Sequence, residues 1–185
     1  KMEANLEVHN FKFEKGDMGT LYANVNYDKE GKIGIDAHAD TDDGALTEIK
    51  GYVDIKNSYI NLPIYAHNTH LSFLKTFCDS FMDKIRLRAN GWCKVVGPLS
   101  DVNLEGDMEA NGNVYIKPTG TTYDLMRGRI RIIPNEIIFA NDTITDPYGH
   151  IGIVTGGLHH NSLRHLTYDI NVEAQNLLAY NFPKH

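Results

Sequence analysis

The chain has 185 residues, is 42% hydrophobic and 23% charged, and carries a formal net charge of -6, a composition that suits one β-rich domain, 1–185, with a sizeable core. The negative charge argues against a dedicated nucleic-acid binder, which needs a basic face for phosphates. No run of about 18 apolar residues occurs, so no segment reads as a membrane-spanning helix.

The chain opens with Lys1-Met2-Glu3 and reads as a strand by Leu6; it stops at Phe182-Pro183-Lys184-His185, just after an apolar run. Both ends read as cut from a longer protein, and no signal peptide is visible. Any targeting segment or anchor is expected outside this chain.

The dominant signal is period two. Leu21, Ala23, Val25 and Tyr27 alternate with polar neighbours, as do Ile33, Ile35, Ala37 and Ala39. Between them Asp28-Lys29-Glu30-Gly31 is a turn, so the two runs predict a hairpin with one wet and one dry face. Asp40-Thr41-Asp42-Asp43-Gly44 is the next turn. It departs from a calcium loop, because Gly44 is fifth rather than sixth and no Glu stands at position twelve. Segments 46–55 and 59–66 predict further strands, with Gly51 as a candidate bulge.

Residues 67–84 break the period. Leu71, Leu74, Phe77, Cys78, Phe81 and Met82 fall three and four apart, which predicts an amphipathic helix over about 69–84 capped by Asn68 or Thr69. The alternation then resumes through Ile85, Leu87, Ala89, Gly91, Cys93 and Val95, and through Val102, Leu104, Gly106, Met108 and Ala110. It continues past Val114, Ile116, Tyr123, Leu125, Gly128, Ile130 and Ile132 to 137–144, 151–155 and 168–174. Roughly a dozen strands at this spacing predict an all-β, mainly antiparallel fold.

A dozen half-apolar strands create a dry face too large for one short helix to cover. A closed barrel, a sandwich and a long sheet curled on itself all satisfy that requirement. The polar faces are rich in Lys, Glu, Asp and Asn, so the apolar face belongs inside. Ala23, Ala37, Ala39, Ala89, Gly91, Gly106, Ala110 and Gly128 on that face are small. They either let two layers pack closely or leave room for an apolar guest.

No catalytic or metal signature stands out. The nucleophile elbow, the phosphate-binding and dinucleotide-binding glycine loops and the H-E-x-x-H pattern are all missing. His159-His160 point to opposite faces if they lie on a strand, so a shared metal is disfavoured, and 156–164 reads as a polar turn. His67 and His70 read as capping or surface residues at the helix start. Asn141-Asp142-Thr143 matches a glycosylation acceptor, a weak tripeptide signal. Cys78 and Cys93 are too far apart in sequence for a CxxC pair; they read as buried or half-buried thiols, with one bridge left open in an oxidising compartment. No enzyme activity, cofactor or metal is expected.

The most distinctive stretch runs from Gly112. It includes Gly112-Asn113-Val114-Tyr115-Ile116-Lys117-Pro118-Thr119-Gly120, Arg129-Ile130-Arg131-Ile132-Ile133-Pro134-Asn135, Asp146-Pro147-Tyr148-Gly149-His150, Val154-Thr155-Gly156-Gly157 and Asn176-Leu177-Leu178-Ala179-Tyr180. As a set these motifs resemble the TamB-like translocation and assembly module family, in the AsmA-like group of Gram-negative envelope proteins. Ile49-Lys50-Gly51-Tyr52 and the segment from Leu71 to Met82 extend the resemblance upstream. The resemblance implies a taco-like groove or open barrel lined with apolar side chains, in a periplasmic protein anchored in the inner membrane by a segment outside this chain. It further implies lipid transport and outer-membrane biogenesis, including protein secretion.

The leading expectation is therefore a non-catalytic groove that holds lipid acyl chains or apolar client segments in transit to the outer membrane. Its partners would be phospholipid or another apolar ligand, the remaining parts of the same longer chain, and outer-membrane assembly proteins. The lining residues expected on the dry face are Val25, Ile35, Ala37, Leu87, Ala89, Val95, Leu104, Met108, Ile116 and Ile130, with Leu74, Phe77 and Phe81 plugging one end. A second expectation is a module that binds outer-membrane or secreted proteins by strand augmentation. A third is a structural spacer with a filled core.

Overall fold

The computed structural model describes residues 2–174. It is one eleven-stranded sheet in which every strand pairs antiparallel with its sequence neighbours, an uninterrupted meander. The strands are β1 (Met2–Phe13), β2 (Gly16–Tyr27), β3 (Lys32–Asp40), β4 (Leu46–Asp54), β5 (Tyr59–His70), β6 (Met82–Pro98), β7 (Asn103–Ile116), β8 (Thr121–Ile133), β9 (Glu136–Thr145), β10 (Ile151–Asn161) and β11 (Arg164–Ala174). The sheet curls without closing into a barrel, so β1 and β11 are its two edges. The all-β, antiparallel architecture with one short helix is as the periodicity predicts, and the curl is the covering, among the three open ones, that the resemblance implies.

Local chemistry explains the turns. Asp28 Oδ1 accepts the backbone N–H groups of Glu30 at 2.9 Å and Lys32 at 3.0 Å, and Gly31 takes φ +86°. Asp146 repeats the device between β9 and β10, taking the N–H groups of Tyr148 at 2.9 Å and His150 at 3.0 Å. Such Asp side chains satisfy donors that a tight reversal would otherwise leave unpaired.

Four predicted details differ. The helix is far shorter than 69–84: a 3-10 turn, Ser72–Leu74, leads into α1, Lys75–Cys78. Residues 69–70 belong to β5 and 82–84 to β6. The three-and-four spacing is real, but pairing with the long neighbouring strands outcompetes helix extension. Residues 156–161 continue β10 rather than forming a turn, which falls at Ser162 and Leu163. His67 and His70 likewise lie on β5, where His70 Nε2 meets Asp43 Oδ2 at 2.9 Å. Gly51 keeps regular register with Ile35. A Cβ there would sit 2.1 Å from the Asn61 carbonyl oxygen, so close backbone approach, rather than a bulge, calls for glycine.

The segment from Leu71 to Phe81 acts as a brace between distant parts of the curl. Phe73 meets Phe13 edge-on at 5.3 Å, and Thr76 Oγ1 donates to the Glu14 carbonyl at 2.9 Å. At its other end Phe81 packs on Tyr168 of β11 at 4.9 Å. The opposite end of the sheet is tied by side chains of three turns. Asn135 Oδ1 accepts from Asn103 Nδ2 and from the Ser162 N–H, both at 2.9 Å, and Ser162 Oγ meets Asp101.

Candidate functional site

The concave face between β6 and β11 encloses a cavity of about 180 Å³. Ala110 lines its floor, within a row of small residues in register. Ala89 pairs with Ala110, which pairs with Gly128, and both alanines are fully shielded from solvent. Leu87, Val114, Ile116, Leu125, Ile130 and Ile144 form the walls on β6 to β9. Because the sheet curls, Val154 and Leu158 of β10 and Ile170 and Val172 of β11 face the same space. Leu71, Leu74, Cys78 and Phe81 close the braced end.

Size and filling are informative here. Apolar cavities of about 150 Å³ stay dry and accept benzene-sized guests, so this one is large enough for a hydrocarbon segment. Among the described residues no large side chain is fully buried. Ordinary interiors are close-packed, with few voids larger than a water molecule. The small floor residues therefore leave space that the opposing wall does not fill.

The expected lining set divides. Leu87, Ile116 and Ile130 line the cavity. Ala89 lies in the apolar cluster beside it and Met108 packs against that cluster. Val25, Ile35, Ala37, Val95 and Leu104 lie outside it. Val25 pairs with Ile35, and Val95 with Leu104, all four half-buried. Alternation identifies the dry face but not the part of it that a facing wall covers. Of the expected plug, Leu74 and Phe81 close the cavity end, whereas Phe77 is 52% exposed and points away. Leu125 and the distal wall, from Phe139 to Val172, were missed for the same reason. Its alternation was visible, but nothing local marks which strands fold back.

Two of the lining residues carry polar groups, but the surface they show the cavity is apolar. Tyr123 is 3% exposed, and its hydroxyl has no hydrogen-bond partner among the described residues. Asp142 is buried and accepts the Arg129 N–H at 2.7 Å. That bond replaces strand pairing where the β8–β9 ladder is interrupted, between the Leu125–Ile144 and Ile130–Phe139 pairs. Burial raises the Asp142 pKa, and the Arg129 N–H partly opposes it. Both residues line the cavity, with the Tyr123 hydroxyl buried away from its open space. Alternation alone gave Tyr123 as one more inward residue, and Asp142 only as part of a glycosylation tripeptide.

The two cysteines are free thiols, Cys78 buried and Cys93 half-buried. Desolvation pushes the Cys78 pKa up to about 11 and that of Cys93 in the same direction. Charges gather on the outer surface instead, as in the two-pronged contact of Arg129 with Asp107 at 2.6 and 3.0 Å. Among the described residues no three His, Cys, Asp or Glu side chains form a metal-ligating group, and no helix is long and apolar enough to cross a membrane. No family model matches the chain, and neither the curated proteins nor the solved structures contain a significant match.

Proposed function

We propose that the chain is a non-catalytic groove segment of an envelope translocation and assembly protein of the TamB-like kind, holding acyl chains or apolar client segments on their way to the outer membrane. The observation that carries this reading is the apolar cavity between the curled halves of the sheet, lined by Ala110 where it pairs with the equally small Ala89 and Gly128. The motif resemblance from Gly112 onward supplies the biological setting: a periplasmic location and an inner-membrane anchor on another part of the same longer chain. Transfer on this reading is passive. Each methylene moved from water into the groove gains about 0.8 kcal/mol, so six give about 5 kcal/mol without any specific lock. Hydrocarbon contacts are non-directional, which permits sliding along the face.

The test is native mass spectrometry and solvent extraction of the purified chain from a Gram-negative host. Co-purifying phospholipid or other acyl lipid is the expected result. Material free of lipid that also fails to take up an uncharged apolar fluorophore would overturn the proposal.

A second reading rests on a separate observation. β1 is a twelve-residue edge strand, exposed except at Val8 and Phe11. Its outer row of backbone groups offers a template for an added strand, so a client protein could bind by augmentation. A bound peptide or a strand-paired dimer in the same spectra, with no lipid, would favour that reading.

A further inference from the structure

The convex face of the sheet carries an aligned set of side chains that the cavity does not use. Tyr22, His38, Glu48, Tyr65, Trp92 and Asp107 are successive register partners across β2 to β7, so they form one row. Alternation along each strand turns them away from the cavity side. Three of the six are exposed rings: Tyr22 at 40%, Tyr65 at 54% and Trp92 at 42%. Single exposed aromatics are ordinary, and a cross-strand aromatic pair does stabilise a sheet. Tyr65 and Trp92, however, keep about half their surface in water, where smaller β-branched side chains would serve the sheet as well. They stand directly opposite each other, with Cβ atoms about 4.5–5.5 Å apart, and make one aromatic platform. Tyr22, stacked on His38 at 5.0 Å with 26° between the planes, makes a second. Three strand spacings of about 4.8 Å separate Tyr22 from Tyr65, or about 14 Å along the row.

We propose that this row binds a neutral, extended polysaccharide of equatorially linked pyranoses, whose sugar rings stack on the two platforms. The proposal is independent of the groove reading, because the row lies on the opposite face. Such a sugar has two apolar C–H faces and a rim of hydroxyls. The faces of Trp and Tyr rings are electron-rich and attract weakly positive C–H hydrogens, and rigid rings lose little conformational freedom on binding. Glu48 stands between the platforms, exposed and without an ion pair among the described residues, where its carboxylate can accept from hydroxyls. Charge complementarity argues against other partners. Asp107 is held by Arg129 and Lys94 lies 3.9 Å from Glu105, so the ions beside the rings balance one another. The row therefore offers no basic surface for phosphates and no concentrated negative field for a polycation. A protein interface depletes charge around its central rings, whereas carboxylates flank these.

Trp92 is the one tryptophan of the chain, so its fluorescence reports on the first platform directly. The experiment titrates the whole chain with chitohexaose, with its disaccharide chitobiose, and with heparin as a polyanion. A saturable change in Trp92 emission is expected with chitohexaose, with weaker binding of chitobiose. Tyr65→Ala should weaken both sugars about two- to tenfold, the range for one ring contact. Tyr22→Ala should weaken chitohexaose by a similar factor and leave chitobiose unchanged. Both side chains are exposed, and circular dichroism melts establish that the variants are folded. No saturable emission change in the folded parent, or chitohexaose affinity unmoved in Tyr65→Ala, would overturn the sugar-stacking assignment. Equal affinities for chitobiose and chitohexaose would overturn the second platform. Heparin binding as tightly as chitohexaose would overturn the neutral partner.

Discussion

Gly112 offers a direct test of how the curl is built. It sits beside the cavity at an irregularity in the β7–β8 register, between the Ala110–Gly128 and Gly112–Leu125 pairs, with φ +134°. A Cβ at this position would lie 2.0 Å from the Arg86 carbonyl oxygen and 3.1 Å from Leu87 Cα. Gly112→Ala therefore combines two costs. The backbone conformation disfavours an L side chain by about 1–3 kcal/mol, and forcing β6 away from β7 adds about 1–3 kcal/mol more. Gly44 separates the two, because its φ is +89° but a Cβ there would meet nothing within 4 Å. Gly44→Ala should cost only the backbone part, about 1–2 kcal/mol, and Gly112→Ala about 4 kcal/mol. Against a total stability of about 5–15 kcal/mol, the second value is a large shift. Urea unfolding followed by circular dichroism gives both numbers, provided the slopes stay equal. If Gly112→Ala costs no more than Gly44→Ala, the close approach of β6 and β7 is not what holds the floor in shape.

Three further outcomes are expected. Cys78 should resist iodoacetamide at pH 8 in the folded chain and react on unfolding, as read by intact mass. With its folded pKa raised from 9.0 to about 11, stability should hold below pH 9 and fall by up to about 2–3 kcal/mol as pH rises through 11, because the unfolded thiol ionises first. Phe81→Ala, which removes a ring 4% exposed and packed on Tyr168, should cost about 3–5 kcal/mol and speed release of an apolar fluorophore in stopped-flow measurements. The Asp43 carboxyl is held down at about 2, chiefly by the Thr41 hydroxyl, then by His70 and Arg88. Its stabilising contribution is present above pH 3.8 and is lost as pH falls through 2; carbon-detected NMR should follow that titration, and Thr41→Val should return it toward the ordinary value.

Much of the fold was legible because alternation in a meander is local. Pairs such as Val25 with Ile35 and Val95 with Leu104 follow from adjacent runs joined by short turns. The helix misled because its signal is equally local. Leu71, Leu74, Cys78 and Phe81 do face inward together, closing the cavity end, but a short brace achieves this as well as a four-turn helix. The cavity was only half legible. Its proximal wall, with Leu87, Ile116 and Ile130, lies on predicted strands, whereas the distal wall depends on how far eleven strands rotate. That rotation accumulates from twist and from kinks such as those at Arg127 and Asn141, with φ +51° and +57°. Neither residue carries a sequence signal strong enough to place a bend.

The choice between a filled spacer and a groove turns on side-chain volume at one level of the sheet. Across β6, β7 and β8 Ala89, Ala110 and Gly128 stand in consecutive register, with Ala110 lining the cavity floor. Facing them, β10 and β11 contribute Val154, Ile170 and Val172, none of which is fully buried. A spacer selected for rigidity would gain from larger side chains here, since each added methylene in contact contributes about 0.8 kcal/mol. At Gly128 a Cβ would meet the Leu125 side chain at 2.7 Å, so growth there requires that leucine to move. Leu125 thus leans over the floor and faces the cavity at the same time. The small residue at Gly128 thus leaves Leu125 its place at the wall. An apolar guest would complete contacts that the polypeptide leaves unmade, which supports the proposed groove over a strut.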